Sequence, residues 1–203
     1  MNPASVLAQR ANRLIIVVGP SGAGKDSVLS AWRQHLNSEA LQDHRLKPVH
    51  FARRTITRPA DAGGEAHEAV TPEAFERLRA AGGFAFWWRA NDLSYGVRCD
   101  ELGPLAEGRW VAVNGSRAHV QHLRRSAPQL RLVEITAPPQ VLAQRLSGRG
   151  REDSATVALR LQRLAGQSCL EQDLILNNEG TVHETMSRLH DWWQALDRRQ
   201  DMV

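Results

Sequence analysis

The stretch LIIVVGPSGAGKDS, Leu14 to Ser27, constrains the fold of this chain more than any other feature of its sequence. Its first five residues form an unbroken apolar run, which is typical of a strand buried on both faces of a parallel sheet. Apolar residues at three-to-four spacing after Lys25 predict a helix to about Leu36. A glycine-rich turn joins the two, and this order of strand, loop and helix predicts a loop that binds phosphate groups.

The loop nearly matches the nucleotide-binding pattern G-x-x-x-x-G-K-[ST], in which backbone amides and a lysine contact the phosphate groups. The residue after the lysine ordinarily holds magnesium through a hydroxyl, and here it is Asp26. A carboxylate is an equally hard oxygen ligand, so Asp26 is the predicted metal ligand, and Ser27 is able to share the ion. The alternative is a plain glycine turn with a solvated lysine. The predicted nucleotide-binding positions in the loop are Gly19, Pro20, Ser21, Gly22, Ala23, Gly24, Lys25, Asp26 and Ser27.

The rest of the chain alternates predicted strands with predicted helices. Such alternation is typical of a parallel sheet covered by helices on both faces, so the sequence predicts a three-layer α/β fold. Three later strands are expected at residues 109–114, 130–136 and 173–177, and the final helix is expected to end near Leu196.

Two segments break this alternation. Residues 49–97 contain β-like stretches around 50–57 and 84–90 and a short helix beginning at Pro72, which indicates an inserted substrate-binding subdomain. Residues 147–155, SGRGREDSA, are charged and punctuated by glycine, a composition typical of a lid. We therefore expect one domain over residues 1–203, with its core at 13–48, 98–146 and 156–203.

The composition narrows the class of protein. With 203 residues, 42% of them hydrophobic, the chain is long enough to bury one core. Two cysteines without metal-ligand spacing, no signal-like leader and no apolar run of membrane-spanning length predict a soluble cytoplasmic protein. Only two of the 26 basic residues are lysines, and arginine grips phosphate bidentately. We therefore expect a small phosphorylated partner rather than nucleic acid or a membrane.

Arginines concentrate in and beside the predicted lid. Arg145, Arg149 and Arg151 lie there, and Arg160 lies on the helix expected after it. Phosphoryl transfer depends on positive groups around the transferred oxygens, and a closing segment can supply them while it excludes water. Lys25, Arg149 and Arg160 are therefore the predicted catalytic residues, whereas a solvated basic helix face is the alternative for Arg145 and Arg151.

Five motifs follow one another along the chain: GPSGAGK at 19–25, TITR at 55–58, YG at 95–96, RLSGRG at 145–150 and DLILNN at 173–178. In this order they resemble the guanylate kinases, over nearly the whole chain. The resemblance implies a P-loop core that binds ATP, a subdomain that binds a monophosphate, and an arginine lid. It also implies contacts to the acceptor phosphate from Arg58 and Tyr95, contacts to adenine from Asn177, and lid roles for Arg149 and Arg160.

The acceptor site departs from that family. Ala60 and Asp61 stand where guanylate kinases carry a second phosphate-binding arginine. Phe86 stands near the place of their base-reading glutamate, and Asn114 replaces an aspartate. Without that carboxylate, the N–H groups of guanine would be left unpaired, at about 1–3 kcal/mol per buried group. GMP is therefore not the expected acceptor, and guanylate kinase activity is the alternative.

A second set of motifs is more specific: GPSGAGKDS, GGEAHEAV, WWRANDLSYGV, VNGSRAHV, RGRE and LNNEG. Together they resemble the ribose 1,5-bisphosphate phosphokinases of phosphonate breakdown, which are related to the guanylate kinases. This resemblance implies that ATP, with Mg²⁺, phosphorylates ribose 1,5-bisphosphate to 5-phospho-α-D-ribose 1-diphosphate, and that Asp26 is a family feature. An anomeric phosphate is already anionic near neutral pH, so this acceptor needs alignment and charge neutralisation but no general base.

A bisphosphate acceptor has two anionic ends, and two patches suit them. The inserted segment retains Arg54 and Arg58, and His67 falls where a guanylate kinase carries a phosphate-binding tyrosine. The second patch runs from Asn114 to Arg117 and is also a predicted part of the acceptor site.

Within the second patch, Ser116 is expected to cap the next helix while Arg117 and His119 point outward. Arg117 is predicted to meet one sugar phosphate, with plain surface charge as the alternative. Trp87 and Trp88 are expected to form core and subdomain wall rather than a base-stacking platform. From a different class, a non-catalytic, protein-binding relative of the guanylate kinases is a further alternative, although such modules generally lack a working phosphate loop.

Overall fold

The computed structural model describes residues 7, 9–42, 49–60, 65–147 and 171–200. Its strands are β1 (Leu14–Val18), β2 (His50–Phe51), β3 (Arg54–Ile56), β4 (Glu68–Ala69), β5 (Phe84–Ala90), β6 (Leu93–Arg98), β7 (Val111–Asn114), β8 (Arg131–Thr136) and β9 (Leu174–Asn177). Its α-helices include α1 (Lys25–Gln42), α2 (Pro72–Ala80), α3 (Gly103–Ala106), α4 (Arg117–Ser126), α5 (Pro139–Ser147) and α6 (Val182–Gln200).

Five of the described strands form one sheet in the order β2–β7–β1–β8–β9. The β2–β7 and β8–β9 pairs are parallel. All five residues of β1 are buried, as an unbroken apolar run predicts for a strand covered on both faces. Parallel strands need long crossover connections, and helices occur in those connections here. The predicted α/β fold around a parallel central sheet is thus confirmed.

The predicted strands and helices shift modestly at their ends. Strand β7 begins at Val111 rather than at residue 109, while β8 and β9 each begin one residue later than expected. Helix α1 continues to Gln42 instead of ending near Leu36, because the following residues include good helix formers such as Glu39 and Ala40. Element ends are set by caps and packing, which periodicity does not register.

Four further strands form a second sheet in the order β4–β3–β6–β5. Strands β5 and β6 make an antiparallel hairpin, and its turn residues Asn91 and Asp92 have φ of 50° and 60°. Asn and Asp tolerate this left-handed region, and a two-residue turn of this hand matches the twist of the strands. The hairpin places Trp88 directly opposite Tyr95.

The β-like segment predicted at 50–57 consists of two strands that belong to different sheets. Strand β2 pairs with β7 in the five-stranded sheet, whereas β3 pairs with β4 and β6. An extended segment does not encode its partner strand, because pairing depends on residues distant in sequence. The limits of the predicted insert at 49–97 and of the predicted core stay a prediction, and residues 148–155 of the predicted lid lie outside the described residues.

The chain divides into two compact units. One unit comprises Met1–Ile16 and Glu39–Arg131, and it includes the four-stranded sheet together with β2 and β7. The other comprises Val17–Ser38 and Leu132–Val203, and it includes the glycine-rich loop, α1, α5 and α6. No helix in the described ranges is long and apolar enough to cross a membrane.

Each unit has its own buried aromatic residues. In the first unit, Phe75 of α2 stacks on Phe84 of β5 with ring centroids 4.6 Å apart. In the second, Trp32 of α1 packs edge-on against Trp193 of α6 at 5.9 Å, and Trp32 Nε1 donates to His190 Nδ1 at 3.3 Å. This packing holds α1, the helix that begins at the glycine-rich loop, against α6.

Candidate active site

The glycine-rich loop follows β1 in the second unit, and glycine is required at two of its positions. Gly19 has a φ of +148°, and a Cβ there would lie 1.9 Å from the carbonyl oxygen of Ile135. Gly24 has a φ of +85°, and a Cβ there would lie 2.4 Å from Asn178 Nδ2. Any larger residue would meet both backbone strain and a steric clash, so the loop is held by close approach to β8 and to the residue after β9.

Asn178 is the side chain that buttresses the loop. Its Nδ2 donates to the carbonyl oxygen of Ala23 at 2.8 Å, and its Oδ1 accepts from Thr185 Oγ1 at 3.0 Å. Its backbone N–H donates to Thr136 at 2.7 Å, and the residue is 1% exposed. The family resemblance implied a nucleotide contact for the neighbouring Asn177, and no role was predicted for Asn178. Alternation along β9 was the available signal, because it places Leu176 and Asn178 inside and Asn177 outside.

Lys25 begins α1, and its Nζ donates to the carbonyl oxygens of Gly19 and Pro20 at 2.9 and 3.0 Å. The lysine thus lies along the loop, as the phosphate-binding pattern requires. Asp26 is partly buried in the first turn of the helix, where a carboxylate is favoured by the helix dipole, and Ser27 is exposed.

A magnesium ion at Asp26 would take most of its other ligands from water and from phosphate groups. Within the described residues there is no group of three or more His, Cys, Asp or Glu side chains that could hold a metal. Asp26 supplies one carboxylate in the first turn of α1, and magnesium is usually held by one or two carboxylates together with water and substrate phosphates. Asp26 therefore fits the ion that the loop motif predicts.

Arg145 also reaches the loop. This partly buried residue of α5 has a terminal guanidinium nitrogen 3.8 Å from the position that a Cβ on Gly24 would occupy. A basic residue so close to the phosphate-binding loop argues against the solvated-face alternative for Arg145. Arg149, Arg151 and Arg160 lie outside the described residues, so their predicted lid roles stay predictions. Asn177 is exposed at the end of β9, opposite Thr136.

In the first unit, the structure brings Arg58 and His67 together. Arg58 Nη2 lies 3.4 Å from His67 Nδ1, and His67 Nε2 lies 3.1 Å from the carbonyl oxygen of Arg58. His67 Nδ1 is also 3.0 Å from the carbonyl oxygen of Glu65. Arg58 Nε is buried and has no hydrogen-bond partner among the described residues. A buried unsatisfied N–H of a guanidinium is a ready donor to an anion.

Glu65 joins two of the predicted acceptor-binding residues. Its Oε1 accepts from Arg54 Nε, and its Oε2 accepts from Asn114 Nδ2 at 2.8 Å. The guanidinium of Arg54 lies over the ring of Tyr95, 5.2 Å from the ring centroid. Glu65 lies in the GGEAHEAV motif, but no role was predicted for it, because nothing in the local pattern shows which donors it meets. Arg54, Glu65, Tyr95, Asn114 and His119 are called the acceptor surface below.

A stack of aromatic rings borders this surface. Trp88 and Tyr95 are cross-strand neighbours whose rings stack at 5.4 Å with an interplanar angle of 5°. His119 lies 5.6 Å from Trp88 and 5.8 Å from Phe86, also stacked. Alternation along β5 puts Phe86 and Trp88 on one face, so the expectation that Trp88 forms a wall agrees with its position.

The prediction that His119 points outward is wrong. The side chain is partly buried in the aromatic stack, and its Nε2 has no hydrogen-bond partner among the described residues. Burial lowers the pKa of His119 to about 4, with the nearby His122 lowering it further. Ser116 is the N-cap residue of α4, but its side chain makes no capping hydrogen bond, contrary to the prediction. Arg117 is the first residue of α4, partly buried, and its contact with a phosphate stays a prediction.

A separate carboxylate network supports the four-stranded sheet. Glu68 accepts from Thr55 Oγ1 at 2.6 Å and from Arg98 Nε at 2.8 Å. The hydrogen bond from Arg98 is the main reason that the pKa of Glu68 falls to about 2, despite the opposing effect of burial. Since β4 is only two residues long, this network ties it to both β3 and β6.

The chain is similar to known kinases in sequence and in fold. The family model described as guanylate kinase matches residues 11–196. The chain is 47% identical over 178 residues to ribose 1,5-bisphosphate phosphokinase PhnN of Pantoea vagans, covering 87% of this chain and 94% of that protein. It is 50% identical over 147 residues to the bifunctional ribose 1,5-bisphosphokinase-thymidine phosphorylase of Azorhizobium caulinodans, covering 72% of this chain.

The match spans different shares of these relatives. It covers only 20% of the Azorhizobium protein and 42% of a Laribacter hongkongensis relative that is 43% identical and also named ribose 1,5-bisphosphate phosphokinase PhnN. Among solved structures, guanylate kinase from Anaplasma phagocytophilum superimposes with a TM-score of 0.63 at 17% identity, over 93% of this chain and 88% of that one. That likeness supports the guanylate-kinase-like fold.

Proposed function

The chain belongs to the guanylate kinase family and, within it, to the ribose 1,5-bisphosphate phosphokinases, and we propose that it phosphorylates ribose 1,5-bisphosphate with ATP. The products are 5-phospho-α-D-ribose 1-diphosphate and ADP. The bond between the γ-phosphorus and the ADP oxygen breaks, and an oxygen of the anomeric phosphate forms the new bond to phosphorus. The observation that carries the proposal is 47% identity extending over 94% of the Pantoea relative.

The proposed nucleotide-binding residues belong to the second unit. The amides of the glycine-rich loop and the N-terminus of α1 would hold the polyphosphate of ATP, and Lys25 would exchange its loop carbonyl partners for phosphate oxygens. Asp26 would hold Mg²⁺, which neutralises phosphate charge when bound. Arg145 would also contact the phosphate groups, because its guanidinium lies close to the loop. The predicted lid residues Arg149 and Arg160 would have the same role.

The proposed acceptor-binding residues belong to the first unit. Arg58 and His67 would bind one phosphate group, with the hydroxyl of Tyr95 and the side chain of Arg117 as further contacts. Because an anomeric phosphate is already an anion, these residues need only position it and balance its charge. Negatively charged phosphate groups on both reactants are consistent with the arginine-rich composition of the protein.

The structure does not favour GMP as acceptor. Phe86, which stands near the base-reading glutamate of guanylate kinases, is 7% exposed and stacks on His119. The position therefore presents no carboxylate to the N–H groups of a purine, and those groups would go unpaired. A purely protein-binding role is also disfavoured, because Gly24, Lys25 and Asn178 preserve the geometry of a phosphate-binding loop.

The test is to incubate the protein with ATP and Mg²⁺ together with either ribose 1,5-bisphosphate or GMP and to measure ADP. We expect ADP and a sugar diphosphate of the product mass with the sugar only. Lys25→Met should abolish the signal and serves as the control for contaminating kinases. ADP release with GMP alone would make the chain a guanylate kinase, and release with neither would make it a binding module. A cytoplasmic location is part of this proposal, since ATP is consumed.

A further inference from the structure

Two of the predicted acceptor-binding side chains meet on one carboxylate. Arg54 and Asn114 donate to different oxygens of Glu65. The Arg54 and Glu65 side chains are only 12% and 19% exposed, and Asn114 is 4% exposed. The charge of Arg54 is therefore compensated inside the protein. A phosphate that approached Arg54 would be repelled by this partly buried carboxylate, so the pair attracts an anion less strongly than a lone guanidinium would.

This pair offers a ligand hydrogen-bond acceptors rather than net positive charge. A carboxylate has about four lone-pair positions, and among the described residues Arg54 and Asn114 each take one, on separate oxygens. The positions that these two donors do not take suit hydroxyl donors. A carboxylate held in place by two donors is also pre-organised, so it discriminates between ligands at a smaller entropic cost. Acidic side chains read ribose hydroxyls in the same way in dinucleotide sites.

The neighbouring aromatic rings hold this pair in place. Arg54 lies over Tyr95, Tyr95 stacks on Trp88, and Trp88, which is 6% exposed, stacks on His119. The rings cover one another's faces, so they fix the position of Arg54 and bring no charge of their own. The acceptor surface is therefore locally neutral, rich in hydrogen-bond acceptors and supported by aromatic rings.

Arg58 has the opposite character. Its buried Nε lacks a hydrogen-bond partner among the described residues, and its Nη2 lies 3.4 Å from His67 Nδ1. A guanidinium in this state gains a full charge-assisted hydrogen bond when an anion arrives. Two arginines four positions apart thus serve different parts of one acceptor.

We propose that Glu65, positioned by Arg54 and Asn114, is a specificity-determining residue that accepts a hydrogen bond from a ring hydroxyl of the acceptor sugar. Arg54 then acts through Glu65 and not on a phosphate. This inference rests on the proposed function, because it names how the acceptor of that same reaction is recognised. The competing interpretation is that Glu65 occupies Arg54 only in the free protein and moves away when a phosphate binds to Arg54.

The experiment compares kcat/KM for ribose 1,5-bisphosphate with kcat/KM for its 2-deoxy and 3-deoxy analogues. We expect the wild type to prefer the ribose compound by about 10–100-fold over at least one analogue, the worth of a hydrogen bond to a charged group. Glu65→Ala should bring that ratio to within about threefold of unity, chiefly by lowering activity on the ribose compound. Glu76→Ala removes an exposed carboxylate of α2 and should leave the ratio unchanged.

Arginine variants separate positioning from phosphate binding. Arg54→Met should reduce the ratio as Glu65→Ala does, because the carboxylate loses its orientation. Arg58→Met should weaken all three acceptors alike and keep the ratio. Should Glu65→Ala fail to fold by thermal unfolding, Glu65→Gln serves in its place, since it keeps the volume and gives up the charge. Its ratio should fall by at least about threefold.

Four outcomes overturn the inference. A wild type that is active on the ribose compound but prefers it over neither analogue, or a preference that survives in Glu65→Ala, rejects hydroxyl recognition while the proposed function stands. Tighter acceptor binding by Glu65→Ala would show instead that Glu65 competes with the acceptor for Arg54. A wild type inactive on ribose 1,5-bisphosphate overturns the proposed function, and the inference falls with it.

Discussion

The glycine-rich loop and the acceptor surface obtain their geometry in different ways. The loop depends on backbone conformations at Gly19 and Gly24 that other residues rarely adopt, and on one buttress from Asn178. The acceptor surface depends on side chains that are distant in sequence, such as Glu65 and Asn114, meeting through hydrogen bonds and ring stacking. The geometry of the loop is therefore set mainly by its own backbone, with support from one distant side chain, whereas the geometry of the surface depends on several side chains that folding brings together.

Loss of the loop lysine should have the largest effect. Lys25→Ala should lower kcat by about 10²–10³-fold, since a pre-organised donor to the transferred phosphate is removed. Acceptor affinity, measured by calorimetric titration without ATP, should be unchanged because the acceptor surface is in the other unit. Arg33→Ala, on an exposed position of α1, is the matched control and should keep wild-type turnover. Equal activity of the two variants would remove the loop from the mechanism.

The backbone dependence of the loop predicts a strong contrast between two glycines. Gly24→Ala should destabilise the protein by about 1–3 kcal/mol, because φ is +85° and the Cβ would clash with Asn178. Gly103→Ala should be neutral or slightly stabilising, since Gly103 has a φ of −49° and nothing within 4 Å of its Cβ. Urea unfolding measures both, and similar values would show that the loop is not held as described.

On the acceptor side, Arg58→Ala should raise the acceptor KM by about 10–100-fold, the worth of a hydrogen bond to a charged group. The KM for ATP should stay within about twofold, since the nucleotide loop belongs to the other unit. Arg89→Ala, an exposed arginine of β5 paired with Glu76, controls for loss of positive charge. A proportional rise in both Michaelis constants would show that Arg58 does not act on the acceptor selectively.

The smallest expected effect concerns the buried imidazole of the acceptor surface. The pKa of His119 is lowered to about 4 by burial, below its usual 6.5. The unfolded chain therefore binds more protons than the folded one between these values, and the contribution of His119 makes stability fall as pH drops through this window. In His119→Phe, the free energy of unfolding should depend less on pH from 6.5 to 4. His122→Gln should keep most of the wild-type slope, because burial is the larger cause.

Much of the fold could be predicted from local pattern. The run of β1 and the glycine loop require a strand, a turn and a helix at fixed places, and each is present. The hairpin strand β5 also coincides with its prediction. What failed was partner choice: residues 50–57 were extended, as expected, but β2 and β3 belong to different sheets. Local propensity indicates extended backbone and does not encode which strand lies next to it.

The candidate site divides in the same way. Lys25 contacts its own loop, Arg58 meets His67 nine positions on, and both pairs lie close together in sequence. Glu65 and Asn178 were missed, because each works through partners more than ten residues away or through burial that no short motif shows. His119 was predicted to point outward because it lies near Arg117 in the sequence. Its ring instead stacks on Trp88 and is partly buried.

The sequence by itself determined the phosphate-binding loop and the parallel α/β fold, because spacing and glycine act within a few residues of backbone. Only the tertiary structure decided that Glu65 compensates Arg54 and that His119 is partly buried in a stack of aromatic rings. The physical reason is range: backbone strain and periodicity are local, whereas the charge and burial of a side chain depend on residues that folding brings near.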